Sequence, residues 1–357
     1  MKPSYQILNM TQNRNNFFKG KRVLITGHTG FKGSWLTIVL HYLGAAVSGV
    51  SREKKEGIYT IANIHNLLAS EYFYDIGEKS TKNLENVMNE VNPEIVFHFA
   101  AQSLVIQSYK NPKDTIFSNI IGTYNVLESS NNSQEIRTLV VSTTDKVYRN
   151  PNSRNDENSD LGGKDFYSAS KVSAEIIIDS FINIFKKEDL NISIVRSGNV
   201  IGGGDRSENR IMTDILNDLK LEKDILLRMP NATRPWQYIL DSIDGYLKIA
   251  EENYTNRVSE IYNLNSVTNN KYNVKKITEL MIEKWESKSK IVLETNKTYN
   301  EVENLTINSE KAKEKLGWRA KTSIEQTINK IIAWEKHYLV NSAPDFCLDE
   351  VDNYYKN

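Results

Sequence analysis

Cysteine is nearly absent from this chain of 357 residues. Cys347 stands alone, which excludes an intrachain disulfide and any cysteine-based zinc cluster. Net charge is missing too. Lysine plus arginine and aspartate plus glutamate number 45 each, so no overall field recruits nucleic acid or an anionic membrane, and an anionic ligand must be held by local groups. No window approaches the roughly 18 consecutive apolar residues of a membrane span. Residues 1–20 are rich in Asn, Gln and Lys and lack an apolar leader core; they read as a mobile extension, with Phe17 and Phe18 packing where the fold begins. No internal repeat or low-complexity tract is evident. What remains is the composition of an ordinary soluble globular protein, 39% apolar and 25% charged, long enough for one large or two medium domains. The expectation is a reduced, cytoplasmic setting with no metal, nucleic acid or membrane partner.

From Lys21 onward, short apolar runs alternate with longer stretches of helical spacing. That alternation is the signature of βαβ units around a parallel sheet. Strands are predicted over Arg22–Thr26, Ala46–Ser51, Glu71–Tyr74, Glu94–Phe99, Thr138–Thr143 and Ile192–Arg196, most of them continuously apolar, as strands buried on both faces should be. Helices are predicted over Trp35–Leu43, Thr81–Val91, Thr115–Ser130 and Phe166–Phe185. The fold class expected is α/β, a Rossmann-type doubly wound parallel sheet over residues 21–200 with a smaller carboxyl-terminal substrate-binding lobe over 201–357, a segment near 239–265 returning to the first part.

The run Thr26, Gly27, His28, Thr29, Gly30, Phe31, Lys32, Gly33 follows a strand and opens a helix, the context that a dinucleotide fingerprint requires. Gly27 suits the tight turn, Gly30 lets backbone approach a pyrophosphate, and Gly33 lets the helix pack close to the sheet. The helix amino terminus supplies free N–H donors and a partial positive charge. His28 and Lys32 are unusual in such a loop; they read either as solvent-facing residues or as contacts to cofactor phosphate or substrate. Ser51 and Arg52 stand where the cofactor ribose is expected, which leaves NAD and NADP both open. Asp75, with Ile76 beside it, is placed to meet an adenine amine, and Ala100 and Ala101 are small enough for a ring system to lie over the sheet edge.

Tyr167 and Lys171 are four apart and share a helix face. There the ammonium can lower the phenol's pKa and hydrogen-bond a ribose, which makes Tyr167 a candidate proton acceptor near neutrality. Thr144, at a strand end, completes a hydroxyl, phenol and ammonium set around one carbinol.

This set, with the glycine loop, resembles the extended short-chain dehydrogenase/reductase superfamily. Four stretches resemble its CDP-glucose 4,6-dehydratase branch: Gly27 to Trp35; Thr144, Asp145 and Lys146 with Gly162 and Gly163 ahead of Tyr167; Arg196 to Asp205; and Arg234, Pro235, Trp236, Gln237. The resemblance implies a recycled NAD that takes hydride from sugar C4 and returns it to C6, with water lost across C5 and C6 in between. It implies Asp145 as the acid that protonates the leaving hydroxyl. Related sugar dehydratases carry a glutamate base at the next position, where this chain has Lys146. Lys146 is then either the base, which requires a neutral amine, or a cation that supports the enolate.

The resemblance further assigns Asn199 and Arg234 to the substrate diphosphate, with Arg210 a second candidate. Gln102, counted with the cofactor contacts, and Ser103, counted with the substrate contacts, can both reach sugar hydroxyls. Ile106 and Gln107 stand where arginines are expected and Arg206 where a tryptophan is common, so the sugar or base can differ from CDP-glucose. An epimerase or reductase on a related nucleotide sugar is the alternative, and a silent NAD-binding protein a third reading. Apolar residues on several faces of the helices over 115–130 and 166–185, such as Ile176, Ile177, Ile178 and Phe181, point to a homodimer through a four-helix bundle.

Overall fold

Seven strands line up in one sheet, and every neighbouring pair is parallel. The structure, a computed structural model, describes residues 17–78, 80–266, 272–294, 305–340 and 344–356. In chain order the strands are Arg22–Thr26, Ala46–Ser51, Ser70–Phe73, Ile95–His98, Thr138–Thr144, Asn191–Ser197 and Ile261–Leu264. Across the sheet they run seventh, sixth, fifth, fourth, first, second, third. The winding reverses between the first and fourth strands, which opens a crevice at their carboxyl ends.

Strand periodicity of two sends alternate residues into two separate cores. Val23, Ile25, Ile95, Phe97 and Val140 enter one, with the helices Phe31–Tyr42 and Ile239–Asn256. Leu24, Val96, Leu139 and Val141 enter the other, under the helices Lys82–Val91, Gly122–Asn132 and Phe166–Ile184. A third core, including Met212, Ile215, Ile277, Ile328 and Ile331, gathers elements of the chain beyond residue 200.

The predicted strands fall on observed ones to within a residue at either end. The expected helix over 115–130 is a longer helical stretch, Pro112–Ile116, a π-turn at Phe117–Ile121 and Gly122–Asn132. Gly77 presses on that turn, where an added Cβ would lie 2.8 Å from the Phe117 carbonyl oxygen. The chain after 201 is also more shared than expected. Besides the strand Ile261–Leu264, the helix Pro344–Lys356 sends Cys347, Val351 and Tyr354 into the first core. Residues 1–16 of the expected extension lie outside the described residues, whereas the Phe17 ring stands edge-on to Phe18 at 4.8 Å and to Tyr254 at 5.4 Å.

Candidate active site

Gly27 leaves the first strand with a φ of 82°, and an added Cβ would sit 2.6 Å from the Ala100 backbone nitrogen. Only glycine can pass so close to the fourth strand's end in that conformation. At Gly33 a Cβ would lie 2.2 Å from the Gly27 carbonyl oxygen, so the helix starts hard against the turn. No side chain caps that helix and no acid occupies its first turn, which leaves its positive end open to an anion. The cradle therefore fits a dinucleotide pyrophosphate.

Two residues of the loop face elsewhere than expected. The His28 ring is fully buried, with Nε2 2.7 Å from Glu71 Oε1 and Nδ1 3.0 Å from Ser51 Oγ, and burial lowers its pKa. Thr29 donates its N–H to Ser51 Oγ at 3.2 Å and its hydroxyl to the Glu53 carbonyl at 2.9 Å. The His28 side chain is thus tied to the second and third strands and the Thr29 side chain to the backbone just after the second. Phe31 packs near Gly202, where an added Cβ would lie 3.2 Å from Phe31 Cζ. Lys32 reaches across the sheet to Ser197 Oγ at 2.6 Å.

At the ribose end, Arg52 is gripped by Asp75 Oδ2 at 2.9 Å, Asp114 Oδ1 at 3.1 Å and Ser118 Oγ at 2.7 Å. Asp75 also accepts the Gly77 N–H at 2.8 Å, and Ile76 is buried. Ala100 and Ala101 remain partly exposed over the crevice. Gln102 does not extend into it: its amide donates to the Leu104 carbonyl and Thr115 Oγ1 and accepts from the Leu104 N–H. Ser103 is exposed.

The second cluster lies at the ends of the fifth and sixth strands, where Thr144 and Ser197 are paired in register. A single 3-10 turn, Asp145–Val147, follows Thr144. Asp145 is 1% exposed; its Oδ1 accepts from Thr144 Oγ1 at 3.0 Å and Lys146 Nζ at 3.3 Å. Its other oxygen, Oδ2, is buried with no hydrogen-bond partner among the described residues. Asp165 caps the helix Phe166–Ile184, accepting the Ser168 N–H at 2.9 Å, which puts Tyr167 in the first turn beside Thr144. One turn on, Lys171 donates to the Ser142 carbonyl at 3.1 Å. Thr144, Asp145, Lys146, Tyr167 and Lys171 are thus brought together.

The charges there differ from the expected pattern. Burial pushes the Tyr167 phenol up to about 12, the Thr144 hydrogen bond only partly opposing it. Burial, then the Lys32 charge, lowers Lys171 to about 8. In the folded chain desolvation is the largest influence on the phenol, opposed by the Thr144 hydrogen bond and the Arg210 charge.

Arg210 pairs with Asp205 at 3.4 Å and acts electrostatically on both Tyr167 and Lys32. Asn199 holds the Gln237 N–H on its carbonyl at 2.9 Å, and Arg234 Nη1 donates to the Thr233 carbonyl at 2.9 Å. Arg206 turns away to the buried Glu335, at 2.7 and 2.9 Å, and over the Trp334 ring. The residue that stands in place of the familiar tryptophan is therefore held by an ion pair with a buried carboxylate. Ile106 and Gln107 lie partly buried in the short helix Val105–Lys110.

Sequence reasoning missed Asn119. It sits fully buried in the π-turn, accepting from the Gln102 N–H at 2.8 Å and donating to the Gln102 carbonyl at 2.9 Å and Ser170 Oγ at 2.8 Å. It fastens the loop after the fourth strand to the helix bearing Tyr167 and Lys171. An asparagine amid apolar helical spacing was the available signal.

The family model described as GDP-mannose 4,6 dehydratase matches residues 24–331. The CDP-glucose 4,6-dehydratase of Salmonella typhimurium is 34% identical over 336 residues, covering 91% of this chain and 93% of the relative. The dTDP-D-glucose 4,6-dehydratase of Homo sapiens is 25% identical over 339 residues, 90% of this chain and 91% of that one. Among solved structures, UDP-glucose 4-epimerase of Thermotoga maritima superposes with a TM-score of 0.78 at 22% identity, covering 89% of this chain and 99% of that chain. The dTDP-glucose 4,6-dehydratase of Bacillus anthracis, in complex with NAD, gives 0.74 at 22% identity, covering 89% and 97%. These two structural likenesses establish the shared fold.

Proposed function

The chain belongs to the GDP-mannose 4,6-dehydratase family, and from that premise we propose that it is an NAD-dependent hydro-lyase converting CDP-D-glucose to CDP-4-dehydro-6-deoxy-D-glucose and water. The observation that carries the reading is Asp145, a buried acid with one oxygen left unpartnered beside Thr144 and Tyr167. Oxidation or epimerisation at C4 needs the hydroxyl, phenol and ammonium alone; expulsion of the 6-hydroxyl needs an acid as well. The 34% identity with a curated CDP-glucose 4,6-dehydratase, over 91% of this chain, supports the choice of sugar nucleotide.

Gly27, Gly30 and Gly33, with the open helix terminus, would hold the cofactor's pyrophosphate, and Lys171 its ribose. When bound, NAD would supply the hydride acceptor and the source of the returned hydride, which would leave the reaction redox-neutral. Tyr167 takes the C4 hydroxyl proton, with Thr144 orienting that hydroxyl. Asp145 protonates the departing C6 oxygen. Lys146 takes the C5 proton as a neutral amine or, as an ammonium, supports the enolate. Asn199, Arg210 and Arg234 grip the diphosphate, and Ser103 reaches a sugar hydroxyl. The nucleotide then lies against the part of the chain beyond residue 200. The product suits deoxysugar and surface-polysaccharide synthesis.

The reading extends to assembly and setting. Ile116, Tyr124, Phe166, Ile176, Ile184 and Phe185 are exposed apolar residues on or just beyond adjoining helices, which supports a homodimer through a four-helix bundle. No helix among the described residues is long and apolar enough to cross a membrane, and the lone cysteine is buried, consistent with a cytoplasmic enzyme.

Incubating the protein with NAD and a panel of nucleotide hexoses, without added reductant, should convert CDP-glucose to a product lighter by one water. No mass loss with any of them would overturn dehydration; loss with dTDP-glucose or GDP-mannose alone would move the specificity.

A further inference from the structure

Lys32 belongs in sequence to the phosphate cradle, yet its side chain leaves it. The Nζ donates to Ser197 Oγ at 2.6 Å and to the Tyr246 hydroxyl at 3.5 Å, and stands 5.5 Å from the Tyr246 ring centre. Ser197 is the register partner of Thr144, and Tyr246 OH lies 2.7 Å from Ser142 Oγ, on the residue whose carbonyl holds Lys171. The amine is therefore anchored over the ends of the fifth and sixth strands, where the reacting groups gather.

We propose that Lys32 is a positioning residue of the reaction centre, acting through Lys171 and Asp145, and not a ligand of the cofactor phosphates. The inference rests on the dehydratase reading for its chemistry and on the geometry above for its place.

Its electrostatic surroundings support it. Arg210 and Lys146 disfavour its charge and Asp145 favours it, while burial is the largest influence; together they lower the amine to about 7. From the helix Phe166–Ile184, Lys171 feels Lys32 as a like charge, with Glu175 opposing. From the helix Ile239–Asn256 comes the Tyr246 phenol, itself pushed up to about 12 by burial. A change in the protonation of a lysine so placed alters the field around Asp145 and Lys171.

Lys32→Met keeps the length and apolar stem, Lys32→Arg keeps a permanent charge, and Ser197→Ala removes the anchor while sparing the lysine. Calorimetric NAD binding to Lys32→Met should stay close to that of the unaltered protein, whereas loss of a phosphate contact would weaken it about tenfold or more. By NMR of protein with isotope-labelled lysine, a side-chain resonance should titrate near pH 7, vanish in Lys32→Met and move in Ser197→Ala. The pH profile of kcat should lose a limb near 7 in both Lys32→Met and Lys32→Arg, with KM for the sugar nucleotide little changed. Cofactor affinity lost with an unaltered pH profile, or no lysine titrating near 7, would overturn the proposal. Should Lys32→Met not fold, Lys32→Arg and Ser197→Ala give the same decision. Because the NMR and cofactor measurements need no turnover, they decide Lys32 even if no nucleotide hexose is dehydrated.

Discussion

Asp145 and Lys146 sit 3.3 Å apart on one turn, yet their surroundings differ: the acid is buried, while the lysine is partly exposed. That contrast fits an acid reserved for the leaving hydroxyl and a lysine that meets the substrate from the open side. In Lys146→Ala, wash-in of solvent deuterium at C5 should fall with dehydration if the amine is the base. Undiminished exchange with slowed dehydration would assign it the supporting role. Asp145→Asn should lower kcat by roughly 10²–10⁴ while leaving NAD binding intact; near-normal turnover would remove it as the acid. The depressed lysines also make stability depend on pH. Lys171 at about 8 and Lys32 at about 7 lie below their ordinary 10.5. Between those values and 10.5 the unfolded chain keeps a proton that the folded chain has released, so their contribution to stability rises with pH. Urea midpoints measured from pH 7 to 9 should climb less in Lys171→Met; identical slopes would show that the buried amine keeps its proton.

The helix Phe166–Ile184 presents Tyr167, Lys171 and Glu175 at intervals of four, one functional face descending into a structural one. Glu175 accepts from Thr143 Oγ1 at 2.6 Å, Arg196 Nη2 at 2.6 Å and Arg196 Nε at 3.0 Å, all three residues being buried. Through these bonds the helix is registered on the fifth and sixth strands immediately below Thr144. Glu175→Ala leaves an uncompensated guanidinium in that layer and should cost about 3–5 kcal/mol of stability. A urea-unfolding loss under about 1 kcal/mol would mean that water reaches the arginine. Asn119 plays a similar part from the π-turn, holding the loop over the fourth strand to Ser170 of the same helix.

For the whole molecule, the sheet order brings the first, fifth and sixth strands' ends to one crevice, so Lys32, in the first turn of the helix Phe31–Tyr42, can reach Ser197, 165 positions away. The outer helical surface with Phe166, Ile176, Ile184 and Phe185 is the proposed dimer face. Light scattering at micromolar concentration should give twice the chain mass, and Ile176→Asp with Ile184→Asp should give the single-chain mass. A monomer before substitution would refute the bundle.

The sequence by itself determined the parallel sheet and the cofactor cradle, because buried-strand runs, helical spacing and a glycine turn are local constraints. It also marked Thr144, Asp145, Lys146, Tyr167 and Lys171, whose spacing is short enough to be read along a strand end and one helix face. Tertiary structure alone decided where the long side chains went. His28 turned under the second strand, Arg206 went to Glu335, Gln102 closed on its own loop and Lys32 crossed to the sixth strand. His28, Arg206 and Lys32 each found a partner far along the chain, and burial set the Tyr167 and Lys171 proton affinities in a way that neighbour spacing does not encode.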